Sequence, residues 1–310
     1  MWNLSHLRLR LSIKSQAVSR AQNAEPAYAV LCTPNTTFSL RQVQTSNALL
    51  ITEPALEPHG NEIPIPVTRA IASCTATLEL HRSDASALSL LQHLLGVYHT
   101  TAGDLDAVGN RKSKATIFED VPLSDGECQT GWDEMIAFEH GDSSWRPSSD
   151  ALAQVWRSTN AAALAEGVKL DSQFLMDDIT RAVAEEGHPT GLIEAILRRL
   201  SNAGEDASGP WCCLDRAKTA AFVGKTLLEA KDGTDFLIAD FTDSWEDMLP
   251  EAWRKDAQLS AIDGLYDFPT ETTIRAKNAN ATRSTDGAPP AGPKASARKW
   301  HEKFGKTRKK

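Results

Sequence analysis

Cysteine is scarce in this chain, and its spacing shows no metal-binding pattern. The 310 residues include five cysteines, and no two of them form a CxxC pair or join histidines at ligand spacing. An odd number of scattered cysteines does not fit the disulfide framework of a small secreted domain. We therefore expect free thiols in a reducing compartment and no metal ion. The five are Cys32, Cys74, Cys128, Cys212 and Cys213.

The chain also lacks a long apolar run. No stretch is long enough for the hydrophobic region of a signal peptide or for a membrane span. We therefore expect a soluble intracellular protein that does not contact a membrane. The first twenty residues contain four basic residues and no acid, as in a mitochondrial presequence, but Leu7, Leu9, Leu11 and Ile13 alternate with polar residues. This period of two favours an amphipathic strand over a presequence helix.

Catalytic motifs are missing as well. The sequence contains no GxSxG, no HExxH and no paired-glycine nucleotide fingerprint. Gly224-Lys225-Thr226 resembles the end of a phosphate-binding loop, but the position that needs the first glycine is Thr219. The triplet also lies within a helical pattern. We expect Gly224 to pack against a neighbouring side chain, and we predict a protein that is not an enzyme and needs no cofactor.

The first feature that is present is a β-rich N-terminal part. From Tyr28 to Thr52 the sequence predicts three short strands, with breaks at Pro34-Asn35 and Ser46-Asn47. A proline-rich crossing over residues 54–66 follows, and the alternation in residues 72–80 predicts a half-buried strand. A sheet this small has edges that need a partner or a cap. We therefore predict a β-barrel-like module for heterodimerisation.

After residue 82 the periodicity becomes helical. Ser86 is placed to cap a helix from Ala87 to Tyr98, and a polar linker follows. Three small units come next, each with short helices and a possible wing, which is the pattern of tandem winged helices. The predicted fold class is α+β. Its parts are a β-barrel-like assembly module (1–82), a helix and linker (83–114), three winged-helix units (115–149, 150–214 and 215–276), and a disordered linker with a basic tail (277–310).

The second unit has the clearest helix-turn-helix pattern. Gly187-His188-Pro189 breaks the chain, and Thr190 can cap a helix whose apolar side chains point inward. Arg198 and Arg199 fall on its outer face, where they either contact DNA phosphates or are an ordinary exposed pair. The third unit's acidic helix is not expected to face DNA, because carboxylates repel phosphates. Its acids are Asp240, Asp243, Glu246 and Asp247.

Charge is distributed unevenly along the chain. The net charge is −8, and residues 294–310 carry +7 from eight basic residues and one acid, which leaves −15 for residues 1–293. A basic tail with Trp300 and Phe304 can neutralise phosphates and stack on bases, and it can equally be a nuclear-import sequence. Both interpretations stay open. The candidate DNA-binding residues are Arg198, Arg199, Lys294, Arg298, Lys299, Lys303, Lys306, Arg308, Lys309 and Lys310.

Five segments resemble the DCC-one family of sister chromatid cohesion proteins. They are AVLCT (29–33), TSNALLI (45–51), LDRAKTAAFVGKTLLEA (214–230), FLIADFTDSWEDMLPE (236–251) and LSAIDGLY (259–266). The similarity covers residues from about Ala27 to Ala276, and the last three segments follow one another in the family's order. Two parts depart from the family. The first winged-helix unit is compressed, and the basic tail has no family role that can be transferred to it.

The resemblance implies a nuclear, non-catalytic subunit of an alternative clamp loader, the replication factor C variant that loads or unloads the PCNA sliding clamp and supports sister chromatid cohesion. It implies that the β-module pairs with a small β-barrel subunit of the chromosome transmission fidelity eight type, beside a large ATPase subunit of the chromosome transmission fidelity eighteen type. Winged helices would reach single- and double-stranded DNA and the catalytic subunit of DNA polymerase epsilon. The candidate partner-binding residues are Leu7, Leu9, Leu11, Ile13, Val30, Phe38, Leu49 and Ile51.

A second hypothesis has the same architecture. A β-module followed by winged helices also occurs in general transcription factors, so a transcription-initiation or chromatin adaptor is the alternative. The identity of the partners distinguishes the two hypotheses. Clamp-loader subunits and polymerase epsilon would support the first, and RNA polymerase components would support the second.

Overall fold

An N-terminal antiparallel sheet precedes three helical units, each with its own small sheet. The computed structural model describes residues 12–15, 29–58, 60, 63–100, 112–202, 209–231 and 233–277. The predicted α+β class is confirmed. The strand residues Leu7, Leu9 and Leu11 and the basic tail lie outside the described residues. Among the helices that are described, none combines the length and the apolar character needed to cross a membrane.

The N-terminal sheet has four strands in the order β1-β2-β3-β4. These strands are β1 (Ser12–Ser15), β2 (Ala29–Cys32), β3 (Thr37–Glu57) and β4 (Ile65–Arg82). Within the described residues β1 and β4 are the two edges and do not pair with each other, so the sheet is open. Beyond Ser39, where the pairing with β2 ends, β3 and β4 continue as a two-stranded hairpin. We name residues 40–57 and 65–80 the β-ribbon.

The ribbon is longer and more regular than the sequence predicted. The turn at Pro34-Asn35 is present between β2 and β3, but the predicted break at Ser46-Asn47 is wrong, because a shift in register there leaves β3 continuous. The proline-rich crossing is also wrong, because Pro54 pairs with Thr68 inside the ladder. Proline is tolerated on a strand with a free edge, toward which its missing N–H group can point.

Unit I spans residues 87–147. It contains α1 (Ala87–Leu94), β5 (Gly96–Tyr98), α2 (Lys114–Asp120), α3 (Asp125–Glu134), β6 (Phe138–His140) and β7 (Ser143–Pro147), with the strand order β5-β7-β6. The hydroxyl groups of Ser86, Ser113 and Ser124 cap its three helices.

This unit begins earlier than the predicted boundary at residue 115. Leu91 and Leu95 share a buried core with Ile117 and Trp132, so α1 belongs to the unit rather than to a separate linker. The predicted helix also ends early, because residues 96–98 form β5, which pairs in parallel with β7. That pairing joins segments almost fifty residues apart, which local periodicity does not reveal.

Unit II spans residues 149–214. It contains α4 (Ser149–Ala165), β8 (Phe174–Leu175), α5 (Met176–Glu185), α6 (Thr190–Leu200) and β9 (Trp211–Cys212). β8 pairs with β9, and Ser201 forms a bridge with Leu214. The predicted helix-turn-helix and wing strand are present. Thr190 does not cap α6, however, because Pro189 occupies the cap position and no side chain caps this helix.

Unit III spans residues 216–276. It contains α7 (Arg216–Glu229), β10 (Phe236–Leu237), α8 (Ile238–Asp247), β11 (Tyr266–Thr270) and β12 (Thr273–Ala276), with the strand order β10-β12-β11. Two 3-10 helices, Glu251–Asp256 and Leu259–Ile262, stand where unit II has α6. Arg216 holds the first of them by donating to the carboxylate of Asp256 at 2.7 Å and to the carbonyl of Ala252 at 2.8 Å.

Tryptophans join units II and III into one packed body. The indole N–H of Trp156 in α4 donates to the carbonyl of Met248 at 2.8 Å, and that of Trp253 donates to Asp171 at 3.2 Å. Each bond crosses from one unit to the other. A continuous buried core extends from Tyr98 and Trp145 in the sheet of unit I through both later units.

Candidate functional site

The β-ribbon exposes apolar side chains on both faces. Leu49, Leu50 and Ile51 are consecutive in β3, so they alternate between faces, yet all three are exposed, Leu49 to 61%. On β4, Leu78 is 65% exposed and Leu80 is exposed as well. Large clustered apolar surfaces of this kind mark binding sites, whereas single exposed leucines are ordinary. Leu56, Ile65 and Ile71 extend the same surface.

The backbone of the ribbon is unpartnered too. Over the described residues β4 pairs only with β3, and β3 beyond Ser39 pairs only with β4, so both long edges carry unpaired N–H and C=O groups. A two-stranded hairpin is marginally stable in water, and an open edge is a template for another strand. The ribbon therefore combines exposed apolar side chains with backbone groups that are free to pair with a further strand.

The predicted partner-binding residues divide into three groups. Leu49 and Ile51 lie on the exposed ribbon, whereas Phe38 is half-buried at its base. Val30 is only 8% exposed, so it belongs to the interior and not to this surface. Ile13 pairs with Leu31 in β1, and the remaining predicted residues, Leu7, Leu9 and Leu11, lie outside the described residues.

Sequence reasoning missed most of the ribbon surface. The alternation in residues 72–80 predicted a half-buried strand, but this is wrong, because Leu78 and Leu80 are exposed. The alternation correctly indicated a face of apolar side chains. It could not indicate that no described part of the chain buries this face.

A hydrogen-bonded junction fixes the base of the ribbon to unit I. The hydroxyl of Thr37, which is fully buried, accepts the backbone N–H of Ser124 at 2.7 Å and donates to the carboxylate of Glu127. Burial alone would raise the pKa of Glu127, but hydrogen bonds from Thr37 and Ser124 outweigh it and lower the pKa from its usual 4.5. Gly126 donates its N–H to the carbonyl of Pro34 at 2.9 Å. These bonds connect the N-terminus of α3 to the turn before β3.

Unit I covers part of α6, the second helix of the predicted helix-turn-helix. A Cβ atom added to Gly191 in α6 would lie 3.2 Å from the carbonyl oxygen of Glu139 in β6, so the two units touch there. Of the eleven residues of α6, all of them described, only Thr190, Arg198 and Arg199 are exposed. The outer face of α6 is therefore not free to enter a DNA groove.

A groove of about 680 Å³ lies between units I and II. Arg198 and Arg199, which were predicted to lie on the outer face of the helix, are exposed and line this groove. Arg198 forms an ion pair with Glu194 at 3.4 Å. Lys114 from α2 and Lys218 from α7 line it too. No pattern in the sequence points to these two lysines, because they come from different units and meet only in the folded chain. The other predicted DNA-binding residues, from Lys294 onward, lie outside the described residues.

Gly224 does not belong to a phosphate-binding loop. A Cβ atom at Gly224 would lie 2.4 Å from Cζ2 of Trp245, so this glycine is a packing position within α7, as predicted. In the described ranges, no group of three histidine, cysteine or acidic side chains is placed to hold a metal ion.

One cluster has the residue types of a hydrolase triad. The hydroxyl of Ser158 donates to the carboxylate of Glu186 and lies 3.1 Å from Nε2 of His188. Ser158 and His188 are both buried, so a substrate could not reach them. We therefore assign this cluster a structural role between α4 and the turn that precedes α6.

Comparison with known proteins identifies the family. A search of curated proteins finds no match. The family model for sister chromatid cohesion protein Dcc1 matches residues 4–281, a span that includes the β-ribbon and all three units. This match confirms the resemblance predicted from the five sequence segments. The chain therefore belongs to the sister chromatid cohesion protein Dcc1 family and has a role in sister chromatid cohesion.

Proposed function

We propose that this chain is a non-catalytic subunit of an alternative clamp loader that loads or unloads PCNA, and that it joins the complex through its β-ribbon. The observation that carries the proposal is the ribbon itself, with apolar side chains on both faces and two unpaired backbone edges. Burying one half-exposed leucine or isoleucine contributes on the order of 1 kcal/mol. Several such residues together can support a stable interface.

The chemistry of the ribbon suits a β-rich partner. Added strands would satisfy the free N–H and C=O groups, and apolar side chains of the partner would cover residues on both faces of the ribbon, such as Leu50 on one face and Leu78 on the other. We infer that this partner is the small β-barrel subunit of the chromosome transmission fidelity eight type, held beside the large ATPase subunit of the chromosome transmission fidelity eighteen type. The junction at Thr37 would then set the direction of the helical units relative to the assembled complex.

We interpret the helical units as winged helices that act in the nucleus on DNA and on the catalytic subunit of DNA polymerase epsilon. The common strand order of units I and III, with the last strand between the first two, supports this interpretation. DNA contact is proposed for the basic tail and, through the rim of the groove, for Arg198 and Arg199. The alternative, a transcription or chromatin adaptor, gains no support from the family match.

Affinity purification tests the proposal. The tagged chain is recovered from its own cells, and mass spectrometry identifies what accompanies it. We expect the small β-barrel subunit, the large ATPase subunit and the small clamp-loader subunits. Replacing both Leu50 and Leu78 with Asp should remove all of them, because two buried carboxylates would oppose the interface.

The control places the same substitution elsewhere. Leu164 in α4 is 84% exposed and lies outside the ribbon, so Leu164→Asp should leave the set of partners unchanged. Full recovery of the clamp-loader subunits with the ribbon variant would exclude the ribbon as the assembly surface. Recovery of RNA polymerase factors by the unchanged chain would instead favour the adaptor hypothesis.

A further inference from the structure

The acidic side chains that line the groove between units I and II are already engaged. Glu194 forms an ion pair with Arg198, and the carboxylate of Glu139 accepts the backbone N–H of Lys114 at 2.8 Å. Asp133 accepts a hydrogen bond from the side chain of Gln129 at 2.7 Å. Of these three carboxylates only that of Glu194 is paired with a cation, and the hydrogen bonds to Glu139 and Asp133 come from neutral donors that leave both negative charges in place.

Three cations in the same groove have no such partner. Within the described residues, Lys114, Arg199 and Lys218 have no carboxylate within ion-pair distance. Lys218 donates to the carbonyl of Ser201 at 2.9 Å, and the ammonium of Lys114 lies 5.1 Å from the ring centre of Trp132. Neither contact neutralises a charge. The lining therefore holds four cations against three carboxylates, a formal net charge of +1, and its three unpaired cations suit an anionic occupant.

Apart from Gln129 and Ser201, the remainder of the lining is apolar, and it offers no exposed ring for stacking. Gly191 and Ala195 form a half-buried strip along α6, opposite Ile136 at the end of α3. Trp132 and Phe138 also line the groove, but both are at least 95% buried. Proteins that bind single-stranded nucleic acid present exposed aromatic rings to the bases. A DNA duplex is too wide to enter this groove, because unit I already covers α6, the helix that contributes to its lining.

We propose that this groove binds an acidic peptide segment of a partner protein. An aliphatic side chain of the peptide lies on the strip of Gly191 and Ala195, and its carboxylates face Lys114, Arg199 and Lys218. A volume of about 680 Å³ falls within the range of about 300–1,000 Å³ that is typical of ligand sites. The inference is independent of the β-ribbon and of the clamp-loader assignment, because it uses a different surface.

Fluorescence anisotropy tests it on the full chain. The probes are fluorescein-labelled dodecapeptides in which a central leucine or isoleucine is flanked on each side by two Asp or Glu residues. We expect saturable binding in 50 mM salt, and at least tenfold weaker binding when the acids are replaced with Asn and Gln. Replacing the central leucine with Ser should weaken binding about fivefold.

Variants of the chain locate the binding site. The double substitution Arg199→Glu with Lys218→Glu should weaken binding at least tenfold, and the milder pair Arg199→Gln with Lys218→Gln should weaken it less. Lys169→Glu is the control, because Lys169 is an exposed cation of unit II outside the groove. Circular dichroism melts establish that each variant is folded.

Three outcomes would overturn the proposal. One is the absence of binding to any probe up to 1 mM, and another is equal binding by the groove variants and the Lys169→Glu control. The third is displacement of the peptide by a twelve-nucleotide single strand that binds more tightly and loses affinity with the same variants. That result would identify the groove as a nucleic-acid site and would support the DNA role predicted for Arg198 and Arg199.

Discussion

Gly224 shows how a single missing side chain fixes the packing of a tryptophan. A Cβ atom at this position would lie 2.4 Å from Cζ2 and 2.5 Å from Cε2 of Trp245. Trp245 is fully buried, and its indole N–H donates to the carbonyl of Ala220. We expect Gly224→Ala to lower the free energy of unfolding by about 1–3 kcal/mol through overpacking. The better helix propensity of alanine, about 1 kcal/mol, offsets part of this loss. Urea unfolding followed by tryptophan fluorescence measures it.

The adjacent residue provides the control for this substitution. Lys225 is exposed on the same helix and forms a 3.8 Å ion pair with Glu229, of a kind that contributes little to stability. Lys225→Ala should change the free energy of unfolding by less than about 0.5 kcal/mol. If Gly224→Ala were as stable as the unchanged chain, Trp245 would have to be free to move.

His188 makes the stability of the fold depend on pH. Burial lowers its pKa from the usual 6.5, and the neighbouring carboxylate of Glu186 opposes this by a smaller amount. Between the lowered pKa and 6.5, the unfolded chain binds more protons than the folded chain. The free energy of unfolding should therefore fall as the pH drops below about 6.5, and this effect should level off below the lowered pKa.

Replacing the histidine isolates this effect. His188→Gln should flatten the pH dependence in that window, because glutamine does not titrate. His99→Gln, at an exposed position, should leave the slope unchanged. Thermal melts at intervals from pH 5 to pH 8 measure both variants, and equal slopes for the two would exclude His188 as the source.

At the scale of elements, one threonine anchors the long hairpin. Thr37→Val keeps the shape of the side chain, but it leaves the N–H of Ser124 and the carboxylate of Glu127 without their buried partner. Because Ser124 still donates its N–H and its hydroxyl to Glu127, we expect a loss of about 1–3 kcal/mol, the usual contribution of a hydrogen bond to a neutral or a charged group. Thr52→Val, on the exposed ribbon, should have little effect. Urea unfolding compares the two variants, and similar midpoints would show that the junction contributes nothing to stability.

This junction should also weaken in acid. Because the pKa of Glu127 is lowered from 4.5, its contribution to stability is present above that pH and is lost as the pH falls through the lowered value. Limited proteolysis between pH 3 and pH 5 would reveal the loss as faster cleavage near the turn at Pro34. Thr37→Val should remove most of this pH dependence.

Local signals predicted those elements whose ends and faces are set by nearby residues. The helical pattern predicted around Gly224-Lys225-Thr226 is observed as α7, from Arg216 to Glu229, and Asp215 caps this helix. The ribbon was predicted less well, because its continuity depends on pairs such as Gln42 with Leu78, which are distant in sequence. The start of unit I was missed for the same reason, since β5 pairs with β7 although α2, α3 and β6 lie between them in the sequence.

At the scale of the whole molecule, the two candidate surfaces differ in how much the sequence could show. The ribbon was visible in part through Leu49 and Ile51, two of the candidate partner-binding residues, which are both exposed on it. The groove was visible only through Arg198 and Arg199. Its other cations, Lys114 and Lys218, join it only through the packing of units I and III beside α6.

The charge distribution of the chain leads to the last prediction. Residues 294–310 carry +7, whereas residues 1–293 carry −15, so a tail that binds DNA must do so against the repulsion of the body. The contribution of the tail to DNA binding should therefore be strongest at low salt. The logarithm of the binding constant for duplex DNA should fall with the logarithm of the salt concentration, with a slope of about −0.9 for each phosphate neutralised.

Replacing six basic residues of the tail with glutamine tests whether the tail contributes to this salt dependence. The measurements are anisotropy titrations with primer-template DNA at 50, 100 and 200 mM salt. If the tail contacts phosphates, Gln at these six positions should make the slope shallower by several units and weaken binding most at 50 mM salt. Lys169→Gln with Lys225→Gln, two exposed cations of the body, should change the slope by less than about two units. An unchanged slope with a loss of nuclear accumulation of a fluorescent fusion would identify the tail as an import sequence. The six residues are Lys299, Lys303, Lys306, Arg308, Lys309 and Lys310.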